Sequence, residues 1–200
     1  MIESFIFVLE IIGTVAFSIS GAMTAIDKKM DILGVIALGL TSAVGGGIIR
    51  DVLLGIIPAT SFRRPVYAMT AIAVAIIIFL PPIRKNINLN NRTFLIMDSI
   101  GLGIFTVIGV RTAISDGGFF FSVFLGAITG VGGGVVRDVF TGEMPIIFVK
   151  HFYASASIIG AVACYLLCSV NETAALITGA MIVIILRILA AYYKWHLPKA

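Results

Sequence analysis

Two short runs carry the residues with chemistry in them. Gly45-Gly46-Gly47 is followed by Arg50-Asp51, and Gly132-Gly133-Gly134 by Arg137-Asp138. Both runs lie inside long apolar stretches, where an arginine costs at least about 2.5 to 3.5 kcal/mol to insert into a bilayer and calls for a partner and a wet surface. Three consecutive glycines cost about 2 to 3 kcal/mol of helix propensity relative to alanine. A helix that opens at such a point frees backbone carbonyls, which must line a polar cavity and can then ligate cations. The competing reading is that the glycines let two helices pack closely. Ser42 and Thr129 precede the triplets by three residues and are candidates either for hydroxyl ligands on the path or for interhelical hydrogen bonds.

Adjacent side chains on a helix diverge by about 100°. The sequence therefore predicts crossed ion pairs, Arg50 with Asp138 and Arg137 with Asp51, and Glu10 and Asp98 are the rival carboxylates. Charge-neutral pairing is one use for such residues. The other is gating, in which the arginines set an electrostatic barrier that voltage or a change of partner relieves.

The elements that must position these residues follow from composition. Of 200 residues, 60% are hydrophobic and 12% charged. Twenty-four charges, 14 basic and 10 acidic, cannot clothe a water-soluble globule of this size. The expected fold class is an all-α integral membrane protein, and the net charge of +4 reads as topology signal rather than as a nucleic-acid footprint.

Hydropathy and breakers place seven spans near 4–26, 33–57, 65–82, 93–114, 119–141, 152–169 and 173–193. Pro58 and Pro145 are expected to end the second and fifth. With the N-terminus outside, Lys28, Lys29, Arg84, Lys85, Arg92, Lys150, Lys194 and Lys199 fall on the cytoplasmic side, against Arg63, Arg64 and Arg111 outside. Arg187 is expected to snorkel at the inner end of the last span, beside Tyr192, Tyr193 and Trp195. The apolar run at the N-terminus reads as the first span rather than a cleaved signal.

Enzyme signatures are missing: the chain has no phosphate-binding loop, no His-Glu-x-x-His and no nucleophile elbow. His151 and His196 stand alone at membrane edges. Cys164 and Cys168 share a helix face and read as small buried hydrophobes. No cofactor and no bound metal are expected.

Sliding the chain along itself brings residues 45–58 onto 132–145 with eight of fourteen identical. The match extends outward: Gly39 falls on Gly126 and Tyr67 on Tyr153. The series Glu10, Gly13, Phe17, Gly21, Thr24 falls on Asp98, Gly101, Phe105, Gly109, Thr112. The chain is thus a single transmembrane domain of two three-helix repeats, about 3–85 and 91–169, with an extra helix at about 173–193. An odd number of spans per copy inverts the second copy, an arrangement common in transporters and some channels.

Seven spans, two three-helix repeats and a doubled Gly-Gly-Gly-x-x-Arg-Asp resemble the prokaryotic branch of the trimeric intracellular cation (TRIC) channels over roughly residues 3–193. The resemblance implies a homotrimer in the cell inner membrane, with one pore per protomer between kinked helices 2 and 5. It also implies permeant monovalent cations, potassium foremost and sodium as well. Carried over, Gly45 to Gly47 and Gly132 to Gly134 are the kinks, with Arg50, Asp51, Arg137 and Asp138 beside the pore. Both copies here read Arg-Asp where animal members carry a Lys-Glu-Val stretch in one repeat, and the long basic tail of those members is absent. The same bacterial grouping is described as a glycine-transporter family, so a glycine carrier is the alternative.

Overall fold

The computed structural model describes residues 2–86, 91–149 and 152–195, with the side chains of residues 84–86 outside that description. Lys150, His151, His196 and Lys199 lie outside the described residues.

The described chain is all helix and loop. The elements are α1 (Ile2–Asp27), α2 (Ile32–Leu53), α3 (Thr60–Arg63), α4 (Val66–Phe79), α5 (Pro81–Asn86), α6 (Asn91–Ala113), α7 (Phe119–Phe140), α8 (Ile146–Val149), α9 (Ala154–Cys168) and α10 (Glu172–Tyr192). Five of them, α1, α2, α6, α7 and α10, are long and apolar enough to cross a membrane. The third and sixth expected spans come out shorter, as α4 with 14 residues and α9 with 15. At 1.5 Å per residue they reach about 21 to 22 Å, less than a hydrocarbon core of about 30 Å. Pro65 and Pro81 bracket α4, and Phe152, in the left-handed region at φ 68°, precedes α9.

α1, α2 and α4 pack against one another, as do α6, α7 and α9. The two triads meet through like helices, α2 on α7 and α1 on α6, and α10 packs on α6 and α9. Apolar residues face outward as lipid requires: Phe120 is 87% exposed, and α10 presents Ile177, Met181, Ile185 and Leu189 at four-residue intervals. Polar side chains gather inside instead. Ser18 Oγ donates to Ala71 O at 2.7 Å between α1 and α4, and Thr106 Oγ1 lies 2.6 Å from Ser157 Oγ between α6 and α9.

One expectation about the long helices is overturned. α2 and α7 run uninterrupted through Gly45 to Gly47 and Gly132 to Gly134, so neither helix is broken at its triplet. The glycines serve contact. A Cβ on Gly46 would overlap the carbonyl oxygen of Thr129, one on Gly133 would overlap that of Ser42, and one on Gly132 would stand 2.9 Å from Gly46 Cα. The propensity cost of the triplets is offset by an approach of two backbones that no side chain permits.

The helix ends also differ from expectation. α2 and α7 stop at Leu53 and Phe140, before Pro58 and Pro145, because Gly55 (φ 70°) and Gly142 (φ 69°) take the left-handed conformation. The closing hydrogen bonds repeat, Ile56 N to Asp51 O at 2.8 Å and Glu143 N to Asp138 O at 2.9 Å.

Candidate functional site

One face of α1 orders the polar interior. Glu10, Thr14, Phe17, Ser20 and Thr24 recur at three- or four-residue spacing, a run of about 21 Å along the axis. Met23, Thr24, Asp27 and Lys28 help line a vestibule of about 310 Å³ with Asn91, Phe94, Asp138 and Glu143. Glu10 and Thr14 line a second cavity of about 20 Å³ with Gly47, Arg50, Ser61, Tyr67 and Phe105. The first has room for several waters and the second for about one. Between them Phe17 and Phe105 stack at 5.6 Å with 6° between ring planes, against Gly133 and Gly101.

Arg137 stands immediately behind the vestibule wall. Its Nη1 donates to Asp98 Oδ1 at 2.7 Å and to Ser20 Oγ at 3.2 Å, and its Nε to Asp138 Oδ1 at 2.9 Å. Its guanidinium also lies 4.8 Å from the centre of the Phe94 ring. Arg137 and Asp98 are both fully buried. A buried ion pair of this kind is stable only while every partner is present, since loss of one leaves a charge that costs about 3 to 5 kcal/mol.

Arg50 has a simpler setting. Its Nε and Nη2 both reach Asp51 Oδ1, at 2.8 and 2.7 Å. Glu10, the counterpart of Asp98, accepts a hydrogen bond from Tyr67 Oη.

The crossed pairs are therefore replaced by pairs between sequence neighbours. The argument from diverging Cβ vectors fails because arginine is long enough to curl around the helix, and because each aspartate is held in place from beyond it. Asp51 Oδ2 accepts from Thr60 N at 2.6 Å and Asp138 Oδ2 from Ile146 N at 2.8 Å, so each carboxylate meets the first N–H of the short helix that follows. Asp98 does reach Arg137, whereas Glu10 pairs with tyrosine.

Ser42 Oγ and Thr129 Oγ1 are buried and donate back to Leu38 O and Leu125 O, each at 2.6 Å. They sit against Gly21 and Gly109. Arg187 does not snorkel. It is 3% exposed, its guanidinium lies 4.5 Å from the centre of the Tyr153 ring, and its Nη2 is 4.0 Å from Asp98 Oδ2. A buried carboxylate and a tyrosine face draw it inward.

Further ion pairs join residues that the hydropathy reading puts on one side. Lys28 Nζ is 2.5 Å from Glu143 Oε1, while Arg111 binds Glu3 at 2.6 Å and Glu172 at 2.8 Å.

A family model described as glycine transporter matches the chain twice, over residues 7–81 and 95–169. The inner membrane protein YadS of Escherichia coli K12, of the group UPF0126, is 37% identical over 94% of this chain and 92% of its own. A UPF0126 membrane protein of Deinococcus radiodurans is 38% identical over 90% and 84%. Among solved structures, one described as a prokaryotic TRIC channel in 0.5 M KCl superposes with TM-score 0.91 at 32% identity, covering 98% of this chain and all of that one. Another, described as the structural basis for conductance through TRIC cation channels, gives TM-score 0.87 at 42% identity over 96% of both chains. The TRIC orthologue of Rhodobacter sphaeroides gives 0.90 at 30% identity, covering 96% of this chain and all of that one.

The chain belongs to the prokaryotic TRIC family. The two matched segments contain the two clusters, Glu10, Arg50 and Tyr67 in the first and Asp98, Arg137 and Tyr153 in the second. Arg187 lies outside both. Sequence reasoning passed over Thr14, Ser20, Tyr67, Tyr153 and Arg187 as site residues. For α1 and α6 the signal was available in the matched series of glycine, phenylalanine and carboxylate. For Arg187 no repeat partner exists to flag it.

Proposed function

We propose that this protein is a cation channel that passes monovalent ions, potassium foremost and sodium also, through each protomer of a homotrimer. It is read as a multi-pass protein of the inner membrane, with its N-terminus outside and C-terminus in the cytoplasm, and as no enzyme. Repeat 1 at about 3–85 and repeat 2 at about 91–169 are inverted copies, which makes α4 and α9 the third and sixth of seven spans, and α10 is the added seventh. The same-side ion pairs at Lys28 and Arg111 and the doubled family match support that topology.

The observation that carries the reading is the line of polar groups on α1. Residues from Glu10 to Thr24 join two polar cavities end to end, and the line is interrupted by Phe17 against Phe105 where Gly46 and Gly133 bring α2 and α7 together. We read this as a closed conduit with a dry central constriction of the kind that gates by dewetting. Of the acidic residues at the vestibule, Glu143 is paired with Lys28 and Asp138 with Arg137, which leaves Asp27 as the carboxylate that draws cations in. Ser42 and Thr129 stiffen the crossing, Arg50–Asp51 and Arg137–Asp138 are the charge pairs flanking it, Glu10 lines the smaller cavity, and Asp98 stands behind the vestibule wall as the partner of Arg137. No cofactor enters this account.

The family description as glycine transporter keeps a small-substrate carrier as the second reading. Purified protein reconstituted for bilayer recording and, in parallel, for radiolabelled glycine uptake separates the two. The channel predicts unitary potassium currents that do not saturate at millimolar concentrations. Silent bilayers with saturable glycine counterflow contradict it.

A further inference from the structure

Asp98 is held by one oxygen only. Its Oδ1 accepts from Arg137, while Oδ2 is buried without a hydrogen-bond partner among the described residues and lies 4.0 Å from Arg187 Nη2. Arg137 Nη2, Arg187 Nε and Tyr153 Oη are likewise buried and unpaired among the described residues. Buried polar atoms are nearly always satisfied, and each bond left unmade is destabilising. Four such atoms at one place amount to unused capacity for a second set of bonds. The first repeat differs: its counterpart carboxylate, Glu10, is met by Tyr67.

We propose that Arg187 is the alternative partner of Asp98, so that opening of the path transfers this carboxylate from Arg137 to Arg187. A closure from 4.0 Å to about 2.8 Å makes the new charge-assisted bond. Arg137 stays tied to Asp138 through Nε while its Nη atoms turn towards the vestibule, whose wall already includes Asp138 and Phe94. Two guanidiniums and two carboxylates are present before and after, so no charge is stranded in a low dielectric at either end of the exchange. Such an element is bistable, and any influence that favours one pairing shifts the population. The assignment makes Arg187 a positioning residue for the gate, and it rests on the channel reading.

Single-channel potassium recording of the wild type, Arg187→Gln and Arg187→Lys tests it. The open state loses the carboxylate's second partner in Arg187→Gln, so open probability should fall about tenfold while unitary conductance stays unchanged. Arg187→Lys keeps the charge but not the planar fork and should recover part of the loss. Wild-type open probability in either variant, with a monodisperse protein of normal melting behaviour, overturns the exchange. So does a change in unitary conductance, which would put Arg187 on the ion path itself. If Arg187→Gln does not fold, Arg187→Lys alone decides between an intermediate and a wild-type value. A wild type without unitary currents refutes the channel reading instead, before any variant is compared.

Discussion

The two repeats build the same frame around unlike centres. In both, a glycine-rich helix ends in a left-handed glycine, and an aspartate caps the next short helix while binding its own neighbouring arginine. The difference begins with one methylene. Glu10 is long enough to meet Tyr67, whereas its counterpart Asp98 falls short of Tyr153 and is held by Arg137. The added helix then supplies Arg187 to the second centre alone. A single tyrosine–carboxylate hydrogen bond and a buried ion network occupy matching places in the two repeats, and they differ in what happens when a member is removed. The first is nearly self-contained. The second depends on charge balance among residues from α6, α7 and α10.

Neutralising the two carboxylates should separate the centres most widely. Asp98→Asn leaves two buried guanidiniums facing each other with Asp138 as the remaining carboxylate, and should cost about 3 to 5 kcal/mol of stability. Glu10→Gln keeps an acceptor for Tyr67 and should cost about 1 kcal/mol. Thermal unfolding in detergent compares them, and equal shifts would break the distinction drawn between the repeats.

The glycine triplets supply an intermediate effect. A methyl at Gly46 meets the α7 backbone and should cost about 1 to 3 kcal/mol, as should one at Gly133 against α2. Gly47→Ala finds nothing nearer than Ser61 Oγ at 3.9 Å and should instead gain up to about 1 kcal/mol from helix propensity. A loss at Gly47 as large as that at Gly46 would mean that the triplet acts by flexibility rather than by contact.

The smallest expected difference lies in the tyrosines. Tyr67→Phe removes the hydrogen bond to Glu10 and should cost about 1 kcal/mol. Tyr153→Phe removes a hydroxyl without a described partner and should stay within about 0.5 kcal/mol in the closed protein. The same melting assay resolves the pair.

Much of this was legible in the residues. The apolar excess reports the solvent, and the identity of residues 45–58 with 132–145 reports the duplication, because both are properties of the chain itself. The matched series on α1 and α6 already placed Glu10, Phe17, Asp98 and Phe105 on equivalent faces. Pairing was not legible, since the direction of an arginine depends on what fixes the carboxylate beside it, here the N–H of Thr60 or Ile146. The triplets were ambiguous for a related reason. Glycine signals either a weak helix or a close neighbour, and only the position of the Thr129 and Ser42 carbonyls decides for the neighbour. Arg187 was misplaced because depth along a span gives no information about which face a charge takes.

In the proposed exchange the second centre is the switch that sets the Phe17–Phe105 constriction, while the first keeps its pairing throughout. Single-channel potassium recording of Arg137→Ala beside Arg50→Ala tests it directly. Arg137→Ala removes the competitor for Asp98 and should raise open probability about tenfold. Arg50→Ala should leave open probability within about twofold. Equal responses from the two variants, or no response from either in folded protein, would contradict the account.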